Sequence, residues 1–413
     1  MARIEPFKGL RPTKDIVSKL ASPPYDVLSS AEAKKLTAAN PYSFLRVSKA
    51  EVDLPDGVDL YSDEVYNKAR ENFSKFIADK HMVRDREKLF YLYKQVWEDH
   101  VQVGLAAGAS CRDYQDDIIK KHEYTREDKE NDRMRHIETL AAHTGPVFLT
   151  FKHNDRIDAL FQRGMQKEPE YDFTKANGVR HIFYVLDDQG LIDDLKAAFA
   201  GVDVLYVADG HHRSAAATNV KIKRQQANPD HTGNEEYNFF LAVIFPDNQM
   251  KILPYNRVVK DLNGLSKAEF FAKIAEKFTC EDTDVKAPRK SGEFCMYIEG
   301  QWRRLTAKDG SYDKNDAVAC LDVSMMQNNL LDPVLGIKNP RKDKRIDFVG
   351  GIRGTGELER LVDSGEFKAA FSFFPTTIQQ LFKVADSGNV MPPKSTWFEP
   401  KLEDGLVIHM LDD

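Results

Sequence analysis

The chain of 413 residues has only four cysteines, Cys111, Cys280, Cys295 and Cys320, with no Cys-x-x-Cys pair and no histidine beside them at metal-ligand spacing. So sparse a set excludes a disulfide-stapled scaffold and a zinc finger, and it suits a reducing compartment. Long apolar runs are missing too. The longest, 239–245, has seven residues, far short of the roughly 20 that a membrane span needs. The opening stretch carries charges at Arg3, Glu5 and Lys8 in place of an apolar core, so no signal peptide is expected. Positive charge is not in excess: 59 Lys+Arg stand against 65 Asp+Glu, a net charge of −6. That balance counts against a generally basic nucleic-acid binder. No Asp-x-Asp-x-Thr/Val string occurs, which argues against the aspartyl-phosphate route of common phosphatases. The expectation is a soluble cytoplasmic protein.

What the chain does have is apolar mass. Hydrophobic residues make up 42% and aromatics 10%, enough for a substantial core, and the length suggests two or three domains. The first fifty residues are punctuated by Pro12, Pro23-Pro24 and Pro41 and should be extended or turned, with a short helix opening at Ser29/Ser30. Val65, Ala69, Phe73, Phe76 and Ile77 recur at helical spacing after Ser62. Runs 89–97 and 101–107 predict a hairpin through Glu98-Asp99-His100. A charged helix is expected over 125–142, then a strand over 146–151 and a helix over 157–165. Alternation follows: strands at 181–186, 202–208 and 239–245, helices at 191–199 and 214–226. The last third predicts helices at 267–278, 316–330 and 377–387, a hairpin about Glu299-Gly300, and strands at 369–374 and 406–411. The fold class expected is α/β, in the sense of a mixed α+β chain. Its regions are drawn at 1–145, 146–262 and 263–413.

One segment concentrates chemistry. An apolar β run ends at Ala208, an alanine-rich helix begins near Ser214, and Asp209-Gly210-His211-His212-Arg213 lies between. Gly210 lets the backbone turn sharply, and the helix start offers free N–H groups to an anion. His211, His212 and Arg213 add side-chain donors. Asp209 sits where a carboxylate could hold Mg²⁺ bound to phosphates. The bland reading, capping imidazoles and a surface ion pair, would win for a lone histidine. It is the weaker one for five such residues at a strand-to-helix junction.

Gly210-x-His212-Arg213-x-x-Ala216 resembles the phosphate-binding box of the ParB/sulfiredoxin-like fold, shared by sulfiredoxins, ParB nucleotide-binding domains and free serine kinases. The Asp-Gly-His-His-Arg string is especially similar to that of the serine kinases. More broadly, the whole chain resembles the DUF 1015 family. The matching segments are Pro23-Pro24-Tyr25-Asp26-Val27, Asn40-Pro41-Tyr42, Lys121-His122-Glu123, Ala208 to Arg213, Ile252-Leu253-Pro254 with Arg257-Val258-Val259, and Met391-Pro392-Pro393-Lys394-Ser395-Thr396. The resemblance implies a ParB/sulfiredoxin-like nucleotide-binding core using ATP or ADP with Mg²⁺. It also implies a serine-pathway phosphotransferase, a kinase forming O-phosphoserine from free L-serine or a phosphatase on phosphoserine. A non-catalytic nucleotide-binding module is the remaining alternative, and net charge weighs against its engaging DNA.

Two other constellations fit phosphoryl transfer. Lys121-His122-Glu123 precedes the charged helix, on which Thr125, Lys129, Asp132, Arg133 and His136 share a face. Glu123 is the candidate base for an attacking hydroxyl, with Asp26 and Asp132 next in line, although such a helix face is more often a solvated lattice of ion pairs. Lys394, between Pro393 and Ser395-Thr396, could bring a cation to a phosphate, or belong to a plain soluble connector. The site expected therefore comprises Glu123, Asp209 and His212 as catalytic residues. Gly210, His211, His212, Arg213 and Lys394 would bind phosphate, and Asp209 the metal. Gly350-Gly351-Ile352-Arg353-Gly354-Thr355-Gly356 is a weak phosphate-loop signal, lacking a Gly-Lys-Ser/Thr ending and an evident helix after it.

Overall fold

Strand-length apolar runs alternating with amphipathic helices build most of the larger of two compact units. The computed structural model describes residues 1–412. One unit comprises Met1–Met250 together with the segment from Pro400; the other is Lys251–Glu399. The architecture is mixed α+β. Among the described residues no helix is long and apolar enough to cross a membrane.

In the first unit a nine-stranded sheet runs in the order Ile119–Lys120, Leu205–Asp209, Val147–Phe151, Phe239–Pro246, His100–Ser110, Phe90–Trp97, Arg180–Leu186 and Tyr171–Thr174, with Ile4–Glu5 also paired to His100–Ser110. The expected hairpin is its centre: Phe90–Trp97 and His100–Ser110 pair antiparallel about a turn in which Glu98 has φ 54°. Most neighbours are antiparallel. The strand Val147–Phe151 is parallel to Phe239–Pro246, and Leu205–Asp209 is parallel to Ile119–Lys120. Helices cover one face of the central strands. Ile157, Phe161, Leu191, Leu195 and Phe199 of the helices Asp155–Gly164 and Gln189–Phe199 share one buried cluster with Leu105, Leu149, Leu205 and Ile244 of the strands. Ala215, Ala216 and Ala217 of the helix His211–Ala227 join that cluster, and their short side chains let this helix lie close to the sheet.

A smaller sheet, Met82–Arg84, Gly9–Pro12, Ile408–Met410 and Ala142–His143, ties the two ends of the unit together. Beside it the helix Asp63–Ala78 buries Val65, Ala69, Phe73 and Phe76, as its spacing predicts, whereas Ile77 of the same stripe is 38% exposed. The helix Ser30–Thr37 is opened by Ser29, whose side chain and that of Glu32 form a reciprocal capping box.

The second unit is a six-stranded sheet, Phe278–Asp282, Gln301–Ala307, Glu293–Ile298, Ala369–Phe373, Tyr255–Val259 and Ile346–Gly350, with a two-stranded ribbon of Lys251–Leu253 and Trp397–Glu399.

These pairings redraw the regions read from sequence. The nine-stranded sheet crosses residue 145, since His100–Ser110 pairs with Phe239–Pro246, which in turn pairs with Val147–Phe151. The change of unit falls at 250 rather than 262, because Lys251–Leu253 and Tyr255–Val259 find their partners in the second unit. The chain then returns after Glu399. Two further expectations change. Only Asp322–Met326 of the span 316–330 is α-helical, continuing as a wider π turn over Gln327–Leu331. Asp316 accepts the Val318 and Ala319 N–H groups with its side chain, which competes with helix there. A helix does follow the glycine string, Gly354–Asp363, burying Leu358 and Leu361. The string belongs to the second unit, where a Cβ at Gly350 or Gly351 would stand 2.7 Å from Trp397 or Pro254. At those two positions glycine serves close packing.

Candidate functional site

The strand Leu205–Asp209 is antiparallel to Val147–Phe151 with a register shift between Val207 and Asp209. Such an irregularity turns the strand's last side chain away from plain alternation. Gly210 follows with φ +94°, a conformation that favours glycine, and the helix His211–Ala227 starts at once, three residues earlier than expected. His211, His212 and Arg213 therefore form its first turn. Their N–H groups have no intrahelical acceptor, and the dipole makes this end positive.

Asp209 stands at the mouth of that turn. Its Oδ1 accepts the Gly210 N–H at 2.8 Å and its Oδ2 accepts Lys401 Nζ at 2.8 Å. Burial opposes the charge, but Lys401 and Arg213 outweigh it and hold the carboxyl well below the usual carboxylate range. Arg213 runs back under the turn. Its Nη1 donates to the Pro146 carbonyl at 2.5 Å and its Nη2 lies 3.5 Å from Asp26 Oδ2. Burial disfavours this cation, while Asp26 and Asp209 restore it and raise its pKa above the ordinary guanidinium value.

The two histidines behave differently. The His212 Nε2 accepts the Arg126 N–H at 3.2 Å, so in the neutral ring the proton sits on Nδ1. Burial lowers its pKa, with Asp26 and Glu130 opposing. His211 does not present its ring to the turn. It is 6% exposed and packs edge-on against His122, centroids 4.5 Å apart, with the two Nε2 atoms at 3.4 Å. Burial and His122 push it far below the usual imidazole range. The His211 ring, expected to be a side-chain donor at the turn, is instead packed on His122, and its backbone N–H lies in the first turn of the helix.

Glu123 lies half-buried on the loop before the helix Glu127–Leu140. Its neighbours fasten that loop to the box, His122 through His211 and Arg126 through His212. Lys394 belongs to the second unit. It has φ 59°, its ammonium lies 5.4 Å from the Tyr255 ring centroid, and its carbonyl accepts Arg257 Nη2 at 3.0 Å.

Four residues outside the expected set line the first unit's candidate site, although the sequence already marks Asp26 as a cleft residue and Arg133 as part of the charged helix face. Lys401 pairs with Asp209. Asp26, on the turn Tyr25–Val27 set by Pro23-Pro24, reaches Arg213. Asp404 is pinned by two backbone hydrogen bonds with Ser22 and is 2% exposed. Arg133 stacks its guanidinium 4.0 Å over the Tyr25 ring and pairs with Asp132 at 2.8 Å. Of the four only Asp26 lies in a motif segment; the segments 23–27, 121–123 and 208–213 converge here, whereas Lys401 and Asp404 carry no such signal. The segments 252–259 and 391–396 converge in the second unit, through Arg257 and Lys394.

The metal role expected of Asp209 does not fit this arrangement. Both its oxygens are engaged, one by an ammonium, and among the described residues no three His, Cys, Asp or Glu side chains come together as a metal site. A divalent cation there would have to displace Lys401.

A family model described as "Protein of unknown function (DUF1015)" matches residues 4–324. No curated protein matches the sequence. Among solved structures the chain is similar to a free serine kinase in complex with AMP, at 14% identity and TM-score 0.35 over 70% of this chain and 89% of that one. It is also similar to SbnI with a C-terminal truncation from Staphylococcus aureus, at 10% identity and TM-score 0.37 over 72% and 85%. A conserved hypothetical protein from Pyrococcus furiosus aligns at 14% identity and TM-score 0.33, over 70% and 90%.

Proposed function

We propose that this chain, which belongs to the DUF1015 family, is a nucleotide-dependent phosphotransferase that moves a phosphoryl group from ATP or ADP to the hydroxyl of a small metabolite. The observation that carries this reading is the cluster at the start of the helix His211–Ala227. Free N–H groups, Arg213 and Lys401 converge on one turn, and Asp209 holds Lys401 in place.

The chemistry follows from charge. Phosphoryl transfer spreads negative charge over the equatorial oxygens, and a protein accelerates it mainly by positioning and by preorganised cations and donors. Lys401 and Arg213 supply the cations, the first helical turn the N–H donors, and His212 Nδ1–H a further neutral donor. Mg²⁺ would enter with the nucleotide, held largely by its phosphates. The acceptor hydroxyl attacks the terminal phosphorus, the bond to the bridging oxygen breaks, and the hydroxyl proton passes to a carboxylate. Asp26 and Glu123 compete for that last role. Asp26 has the stronger geometric support, because its carboxylate reaches Arg213 and remains 39% exposed. Free L-serine is the acceptor that the sequence resemblance favours.

The test is purified protein with ATP or ADP, Mg²⁺ and a panel of hydroxylated metabolites and phosphoamino acids, read by mass spectrometry. Formation of a phosphorylated acceptor is expected. Release of phosphate from phosphoserine without nucleotide would reassign the protein as a phosphatase, and neither product would end both readings.

A further inference from the structure

Behind Arg213 lies a small cavity lined by Arg133, Arg213, Asp404, His143, Ser48 and Thr144, among others. Three of its lining side chains carry a buried polar atom with no hydrogen-bond partner among the described residues: Arg213 Nε, Asp404 Oδ1 and His143 Nε2. Asp404 is 2% exposed, His143 5%, and the Arg213 side chain 10%. Leaving such groups unsatisfied is costly, most of all for charged ones. Arg213 and Asp404 line the same space, yet the ion pair of Arg213 is with Asp26. Gly145 makes room for this arrangement, since a Cβ there would stand 2.7 Å from Asp404 Oδ1. Orphaned groups of complementary kinds, kept apart around one cavity, describe a seat for a polar ligand.

The charges say which kind. Two guanidiniums, Arg133 and Arg213, face the cavity. His136 and His143 are buried and neutral, burial holding the first at about 4 and the second far below its ordinary range. We propose that this cavity binds a carboxylate of the acceptor and that Asp404 is the specificity-determining residue, meeting that carboxylate as a hydrogen-bond donor. The inference rests on the phosphotransferase reading in that Arg213 is shared between the cavity and the phosphate seat. It adds the place where the acceptor's carboxylate is held and the residue that selects for it.

A donor carboxyl must keep its proton at neutral pH. Burial, with Asp26 and Glu403 adding to it and Arg213 and Arg133 opposing, pushes Asp404 up to about 8. Above that pH its charge would repel a bound carboxylate. The groups facing it are those four, with Tyr25, His136 and His143 around the cavity. Glu403, pushed up to about 7 by burial, also titrates in this range, so the comparison must be between chains that both retain it.

The experiment is calorimetry on the full chain without nucleotide. L-serine, D-glycerate and L-lactate are the carboxylate probes, serinol and glycerol their counterparts without one, and inorganic phosphate the other oxyanion. At least one carboxylate probe should bind, its counterpart at least tenfold more weakly, and phosphate should not displace it. Between pH 7 and 9 wild-type affinity should fall about tenfold, following ionisation of one group near 8. Asp404→Asn, which keeps a donor but cannot ionise, should bind with the same affinity at pH 7 and pH 9. Equal binding of the uncharged counterparts, displacement by phosphate, no binding of any carboxylate, or a wild-type affinity flat from pH 7 to 9 would each overturn the proposal, and none of these needs the variant. Carboxylate binding with no phosphoryl transfer would sink the transferase reading and leave the subsite standing. Transfer to serinol as fast as to L-serine would do the reverse.

Discussion

Lys401 Nζ donates to Asp209 Oδ2 at 2.8 Å across 192 residues of chain. The pair is partly buried, with side-chain exposures of 19% and 30%. It sets a cation at the end of the strand and start of the helix where a metal was expected, and it fixes the last segment of the chain onto the strand that carries the box.

Replacing one member of this pair leaves the other charged and half-buried. Lys401→Met should therefore destabilise the protein by about 1–3 kcal/mol, below the 3–5 typical of fully buried pairs because water still reaches both groups. It should also weaken ATP or ADP binding by about 1.5–3 kcal/mol. The double variant Lys401→Met/Asp209→Asn should recover much of the stability and none of the affinity. Denaturant titration and calorimetry read the two quantities separately. Recovery of both would mean that the pair is structural only.

Arg213→Gln removes the fork shared by Asp26 and the Pro146 carbonyl. Nucleotide affinity should fall by about 1.5–3 kcal/mol, the worth of hydrogen bonds to a charged group. An unchanged affinity in a folded variant would take Arg213 out of the phosphate seat.

Much of this molecule was legible in its sequence, for physical reasons that also mark the limits. Helical spacing at Val65, Ala69, Phe73 and Phe76 reported a buried stripe because burial repeats with the helix, and it overran that stripe only at the exposed Ile77. The hairpin 90–110 and the box at 205–213 were equally local, each set by a turn and the runs beside it. Strands such as Met82–Arg84 and Lys251–Leu253 were missed, since three residues carry no periodicity and depend wholly on distant partners. The same holds at the site. Asp209, Gly210 and Arg213 lie on one turn, whereas Lys401, Asp404 and Asp26 are brought to it by the smaller sheet and by the Ser22–Asp404 bridge. The direction of the His211 ring is not legible locally, because it depends on His122, 89 residues away.

The two candidate bases can be told apart by isosteric amides. Asp26→Asn should lower turnover by about 10²–10⁴, the usual worth of a general base, with nucleotide affinity changed little. Glu123→Gln should leave turnover within a few-fold of wild type. The opposite pattern would return the role to Glu123 and make Asp26 a positioning partner of Arg213.

The final prediction concerns stability against pH, where two sets of buried groups pull in opposite directions. His122, His136, His143, His181 and His211 are held neutral in the fold, burial pushing each well below its ordinary value. Unfolded, they bind protons near 6.5. Below that pH the unfolded chain holds more protons than the native one, so stability falls as acid is added. Glu403 and Asp404 have the other sign. Burial raises them to about 7 and about 8 in the fold, while the unfolded chain releases their protons near 4. Between pH 4 and 8 they make the native state the better proton binder, and stability falls as pH rises, at up to about 1.4 kcal/mol per pH unit for each group still protonated. Five histidines outweigh two carboxyls in acid, and the carboxyls act alone above 6.5. Thermal stability should therefore peak near pH 6.5, drop steeply on the acid side, and decline more gently to about pH 8. Asp404→Asn removes the group responsible for the upper part of that decline. Melting temperatures of this variant should level off above pH 7 while wild type continues to fall to pH 8. An alkaline limb that survives unchanged in the variant would show that Asp404 is already ionised in the native protein.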